Sequence, residues 1–114
     1  MGMLTTHVLD TYHGVAAAGV PIELTRVGGG SLLRTTTNAE GRCAQPLLAG
    51  EAMAAGVYEI AFDLEAYFRA KGVALPQPPF LSTVVIRIGI ADAASHYHVP
   101  LLASPWSYST YRGS

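Results

Sequence analysis

The chain has 114 residues, the size of one domain, of which 50% are hydrophobic and only 13% charged, with a formal net charge of -1. The sequence has no block of Lys and Arg, which argues against a nucleic-acid-binding surface, and no apolar run near the ~20 residues that cross a membrane. Because 13% charged residues are too few to cover the surface of a monomer, we expect part of the apolar surface to be buried between subunits.

The single cysteine, Cys43, excludes an internal disulfide and suits a reducing compartment. The N-terminus lacks the charged and apolar regions of a signal peptide. We therefore expect a cytoplasmic location, although a trimmed N-terminus would leave periplasmic and peroxisomal locations open.

The chain is predicted to form a series of short strands separated by turns. Runs rich in β-branched and aromatic residues are residues 4–10, 20–26, 31–37, 57–62 and 83–90, with two more from about residues 95 and 106. Residues 10–19 are predicted as a loop, and residues 45–56 as irregular or weakly helical. Alternation places Tyr58, Ile60 and Phe62 on one inward face.

One short helix is predicted between the fourth and fifth of these runs. Asp63 is a suitable N-cap, Leu64, Tyr67 and Phe68 share one helical face, and Lys71-Gly72 ends the helix. Without β-α-β units a parallel sheet is not expected. The pattern predicts one all-β domain over residues 1–114, an antiparallel β-sandwich of seven to eight strands with one short helix.

The residues that could carry chemistry are two histidines near the C-terminus, His96 and His98, which alternation places on one face of a strand. Three interpretations are open from the residues alone. The pair could be polar surface, it could form a three-histidine zinc site with His7, or it could supply a base for metal-free hydrolysis. In the last case Arg42 could orient a flat polar ring or stabilise an oxyanion, with hydroxyls from Tyr111 and Ser114.

Other ionisable groups are interpreted as structural or solvating, including Asp10, and the loop histidine His13 is expected to be solvated. The terminal segment 111–114 is either a frayed end or part of a site.

Three segments together resemble one known family. They are LTTHVLD at residues 4–10, Gly41-Arg42 after a turn, and HYHVPLL at residues 96–102 followed by the terminal YRGS. The chain resembles the 5-hydroxyisourate hydrolases, the transthyretin-related enzymes of purine catabolism. The resemblance covers the whole chain, and its two end motifs are specific.

The resemblance implies a transthyretin-like sandwich that hydrolyses 5-hydroxyisourate without a metal or organic cofactor. It implies a homotetramer, a dimer of dimers, with active sites where dimers meet and no nucleic-acid or membrane partner. Motif matches give the catalytic residues as His7, Arg42, His98 and Ser114. They give the substrate-binding residues as Tyr111, Arg112, Gly113 and, in a supporting role, His96. The alternative is a transthyretin-like protein that binds a small ligand without catalysis.

Overall fold

A computed structural model describes residues 2–113, in which two β-sheets pack face to face with one short α-helix at their side. The elements in chain order are β1 (Met3–Asp10), β2 (Val15–Ala16), β3 (Pro21–Arg26), β4 (Gly30–Thr36), β5 (Leu48–Ala49), β6 (Gly56–Asp63), α1 (Leu64–Ala70), β7 (Thr83–Ile90), β8 (His96–Ala103) and β9 (Tyr108–Thr110). The predicted all-β sandwich with one short helix is confirmed.

The first sheet has the strand order β2-β1-β8-β9, with β5 also paired to β1, and the second has the order β4-β3-β6-β7. Every pair is antiparallel except β1 and β8, which run parallel. The sequence did not predict this pair because no β-α-β unit is present. The chain between the two strands instead forms the whole second sheet. This connection is long enough to bring β8 back beside β1 in the same direction.

Two strands in the first sheet were not predicted. β2 lies in the segment expected to be a loop, and β5 lies in the segment expected to be irregular, where a single 3₁₀ turn, Gly50–Ala52, follows it. Each has two residues and pairs with one end of β1. Two residues are too few to show an alternating pattern.

The core forms where the predicted inward faces meet. Tyr58, Ile60 and Phe62 are buried as expected. The carboxylate of Asp63 accepts a hydrogen bond from the amide of Ala66 at 3.0 Å and so caps α1. The face formed by Leu64, Tyr67 and Phe68 is buried between this helix and the sandwich. No helix within residues 2–113 is long and apolar enough to cross a membrane.

Asp10 takes the structural role that the sequence left open for it, and the exposed His13 is bound to its carboxylate. Asp10 is 1% exposed and accepts hydrogen bonds from the His13 amide at 2.9 Å and the Tyr67 hydroxyl at 2.7 Å. The His13 ring lies 2.6 Å from the same carboxylate. Burial alone would raise the pKa of Asp10, but these hydrogen bonds lower it further than burial raises it. Asp10 is therefore structural but buried, and it holds His13.

Candidate active site

The candidate site lies on the outer face of the first sheet, where β1 and β8 run side by side. The inward positions of both strands are buried, so alternation turns Thr5 and His7 of β1, and His96 and His98 of β8, outward. In the parallel register Thr5 lies opposite His98. His7, the next outward residue of β1, lies opposite Pro100. The histidines predicted at opposite ends of the chain are thus brought onto one surface.

A groove of about 480 Å³ runs over this surface. Its walls include Thr5, His96 and His98 from the sheet, and the segment 42–46, which carries Arg42, from the chain after β4. A depression of about 500 Å³ on the second sheet holds Glu23 and Arg34 and is remote from the histidines. Of these two, the first combines a permanent positive charge with imidazoles, and the second does not.

Arg42 reaches the groove because a tight turn is pressed against β1. The carbonyl of Gly41 accepts a hydrogen bond from the Val8 amide at 2.8 Å. Gly41 has φ +77°, and a Cβ on it would lie 2.3 Å from the Val8 carbonyl oxygen. Only glycine fits this close approach with a left-handed backbone. Arg42 then pairs with His7 in an isolated antiparallel bridge.

His7 has one ring nitrogen committed to the protein. Its Nε2 lies 2.9 Å from the carbonyl oxygen of Glu40. A carbonyl can only accept, so Nε2 carries the proton and donates it. In neutral His7 the lone pair is therefore on Nδ1, on the other side of the ring.

His98 is half-buried, and its Nδ1 lies 2.7 Å from Thr5 Oγ1. Burial lowers the pKa of His98 below its ordinary value, and the charges of Arg42, His96 and His7 lower it further. Both effects favour the neutral form of His98 over the charged form. A neutral imidazole beside an arginine can accept a proton from water.

Thr5 is a member of the site that the sequence did not single out. Its Oγ1 is also 2.9 Å from Nε2 of His96, so one hydroxyl stands between the two imidazoles. The rings of His96 and His98 are 6.3 Å apart. Alternation along residues 4–10 puts Thr5 on the same face as His7, but only the parallel register shows that Thr5 meets β8.

The C-terminal segment is packed against β8 as far as the structure describes it. The amide of Gly113 donates to the carbonyl of His98 at 2.7 Å, and a Cβ at Gly113 would lie 2.8 Å from Cδ2 of the His98 ring. The Arg112 guanidinium lies 4.0 Å from the centre of the Tyr97 ring and donates to the His96 carbonyl at 3.1 Å. The segment is therefore a support for His98 and not a frayed end. Ser114 lies outside the described residues.

Two of the predicted substrate-binding residues do not face the histidine groove within one chain. Tyr111 and Arg112 line a second groove of about 440 Å³ at the β7–β9 edge, together with Tyr97 and Val99 of the inner face. His7 does not line the histidine groove either, although its charge reaches His98. The roles assigned to these residues stay predictions.

The three-histidine zinc interpretation finds no matching geometry. Within residues 2–113, no group of three or more His, Cys, Asp or Glu side chains is arranged to hold a metal ion. His7 directs Nε2 to a backbone carbonyl, and Thr5 separates the ring nitrogens of the other two histidines.

Comparison of the sequence with known proteins finds one family. The model described as "HIUase/Transthyretin family" matches residues 4–113. The 5-hydroxyisourate hydrolase of Pseudomonas aeruginosa is 58% identical over an alignment covering 100% of this chain and 93% of that protein.

Comparison with solved structures finds the same fold. The crystal structure of (S)-allantoin synthase has a TM-score of 0.94 and 44% identity over 99% of this chain, which spans only 44% of that longer chain. The 5-hydroxyisourate hydrolase of Klebsiella pneumoniae has a TM-score of 0.85 and 34% identity, with each chain covered in full. Sea bream transthyretin in complex with thyroxine has a TM-score of 0.84 and 28% identity, covering 96% of this chain and 93% of that one. The family predicted from the end motifs is confirmed, and the chain belongs to the HIUase/Transthyretin family.

Proposed function

We propose that this chain is a hydrolase that opens the ring of 5-hydroxyisourate to give 2-oxo-4-hydroxy-4-carboxy-5-ureidoimidazoline in urate catabolism. The observation that carries the proposal is the half-buried imidazole of His98 in one groove with Arg42, where burial and neighbouring charges lower the pKa of His98. The relatives that carry this enzyme's name align with the chain over its full length, the groove included.

The chemistry begins with a water molecule held near Nε2 of His98. As the water oxygen forms a bond to a ring carbonyl carbon, its proton moves to Nε2 and the carbonyl electrons move onto the oxygen. The guanidinium of Arg42 stabilises that oxyanion and holds the flat polar edge of the substrate. When the oxyanion collapses, the ring carbon–nitrogen bond breaks, and His98 returns the proton to the departing nitrogen.

His7 assists from the neighbouring strand. Because its Nε2 is committed to the Glu40 carbonyl, only Nδ1 can accept a hydrogen bond from water. We assign His7 to holding the attacking water and to shuttling protons, and His98 to the main base. Ser114 is assigned to anchoring water or substrate through its hydroxyl or carboxylate, as the family motif implies.

The assembly belongs to the same proposal. We propose a homotetramer, a dimer of dimers, in which the terminal Tyr111 and Arg112 contribute to a site shared between subunits. Exposed apolar residues on the edge strands β7 and β9 and directly after β9 support subunit contacts there, among them Val85, Tyr108 and Tyr111. Sedimentation should give a tetramer, and an active monomer would contradict the shared site. We propose the cytoplasm as the location and the small-molecule substrate as the only other partner.

The second candidate is a transthyretin-like carrier of a small aromatic ligand, which the likeness to sea bream transthyretin favours. A carrier has no need of a proton acceptor beside a fixed cation. It would bind an aromatic ligand without any turnover of 5-hydroxyisourate.

The test is to form 5-hydroxyisourate in place with urate oxidase and follow the decay of its absorbance. The protein should accelerate the decay, with or without a chelator. His98→Ala and Arg42→Ala should each lower kcat by about a hundredfold or more. His13→Ala and Arg34→Ala, at sites remote from the groove, are matched controls for the loss of an imidazole and a guanidinium. Failure of the wild-type protein to accelerate the decay would refute the proposal.

A further inference from the structure

The hydroxyl of Thr5 occupies an unusual position between two imidazoles. It lies 2.7 Å from Nδ1 of His98 and 2.9 Å from Nε2 of His96. A hydroxyl has one proton to donate and two lone pairs that accept, so it can donate to one imidazole and accept from the other, or accept from both. Among residues 2–113 these two ring nitrogens are the only hydrogen-bond partners of the Thr5 hydroxyl, which favours donation to one of them. The protonation of the two rings is therefore linked through Thr5.

The proposed function favours one of these arrangements. If Nε2 of His98 takes a proton from water, it must carry a lone pair, and the ring proton must be on Nδ1. That Nδ1–H then donates to Thr5 Oγ1. The Thr5 hydroxyl in turn donates to Nε2 of His96, which leaves the proton of neutral His96 on Nδ1.

We propose that Thr5 is a positioning residue that holds His98 in the tautomer with its proton on Nδ1 and connects it to His96 as a proton relay. This inference rests on the proposed hydrolysis, and it gives His96 a defined part beyond that of a supporting neighbour.

The relay balances atom by atom. After Nε2 of His98 gains a proton, the Nδ1–H bond of His98 breaks and an O–H bond forms at Thr5. At the same time the former O–H bond of Thr5 breaks and an N–H bond forms at Nε2 of His96. The positive charge thus moves from His98 to His96, and the reverse transfer returns it before His98 protonates the departing nitrogen.

The surroundings favour this direction of charge movement. His98 is half-buried, with Arg42, His96 and His7 as the charged and titratable groups that bear on it, whereas His96 is exposed to solvent. Water stabilises an imidazolium better at the exposed position. His96 can also exchange its Nδ1 proton with bulk water.

The test uses three variants of the full chain. Thr5→Val keeps the β-branched shape and removes the hydroxyl, Thr5→Ser keeps the hydroxyl, and Thr83→Val makes the same change at an exposed position of the other sheet. We expect Thr5→Val to lower kcat by about tenfold or more with KM nearly unchanged, because it weakens a base and leaves binding intact. Thr5→Ser should restore kcat to within about threefold, and Thr83→Val should match the wild type.

A second readout does not depend on turnover. Nitrogen-15 NMR of the histidine rings distinguishes the two tautomers, and the wild-type His98 should carry its proton on Nδ1. Thr5→Val should weaken or reverse that preference. A wild-type His98 protonated on Nε2, or an unchanged tautomer in Thr5→Val, would overturn the relay even if the protein is an active hydrolase. If the wild-type protein did not turn over 5-hydroxyisourate, that result would instead count against the proposed function.

Discussion

Gly41→Ala should damage the site more than its small size suggests. The new Cβ would lie 2.3 Å from the carbonyl oxygen of Val8, where ordinary contacts begin at 3.4 Å. The obstacle is backbone in the middle of β1, so the turn itself must move by about 1 Å. This movement would break the hydrogen bond from the Val8 amide to the Gly41 carbonyl and shift Arg42 away from His7.

The magnitude follows from two separate costs. An alanine at φ +77° costs about 1–2 kcal/mol in backbone strain. The lost hydrogen bond adds about 0.5–1.5 kcal/mol, so the free energy of unfolding should fall by about 1.5–3.5 kcal/mol. A displacement of about 1 Å at a group that orients substrate lowers kcat/KM by about a hundredfold.

The matched control is Gly28→Ala. Gly28 has φ +83° on the exposed hairpin between β3 and β4, and a Cβ there meets nothing within 4 Å. This variant should show the backbone strain alone, with full activity. Thermal unfolding and the 5-hydroxyisourate decay assay measure the two effects. If Gly41→Ala lost no more activity than Gly28→Ala, the turn would not be what positions Arg42.

Three further predictions concern the charges and the C-terminal segment. Arg42→Gln should raise the pKa of His98 in an NMR titration, but not to the ordinary value of histidine, because burial contributes most to lowering it. An unchanged pKa would show that the charge of Arg42 does not act on His98. Asp10→Asn should lower the free energy of unfolding by about 1–3 kcal/mol, since it changes a buried acceptor of three hydrogen bonds. The folded-state pKa of Asp10 is lowered, so its stabilisation is present above about pH 4 and lost at lower pH, and the variant should show a weaker acid dependence in denaturant titrations. Deleting residues 112–114 should abolish turnover while circular dichroism shows the fold retained, and a fully active truncated protein would leave the segment without a role.

The sequence predicts the faces of the strands well and the pairing of strands poorly. Alternation puts His7 on one face of β1, and His96 and His98 on one face of β8, and in both strands the opposite face is the buried one. It could not show that β1 lies beside β8, since β1 pairs with a strand some ninety residues later by a parallel ladder that leaves no local pattern. Thr5 was missed for this reason, because its importance comes from its position opposite His98.

Two other features show where local patterns were sufficient or were overlooked. The Asp63 cap and the helical face that follows were predictable from spacing alone. The Asp10–His13 contact is also local, since an aspartate at a strand end can bind a backbone amide and side chain three residues on. His13 is exposed, as expected of a loop histidine, but its ring also contacts the buried Asp10 carboxylate.

The central claim is that His98 is a neutral base, and the pH dependence of kcat/KM tests it most directly. The rate of 5-hydroxyisourate hydrolysis should be level near pH 7 and fall only at lower pH, with an apparent pKa below the ordinary 6.5 of histidine. In Arg42→Gln this fall in rate at low pH, the acid limb of the profile, should begin at a higher pH. An acid limb at or above pH 6.5 in the wild type, or one that Arg42→Gln leaves in place, would contradict the account.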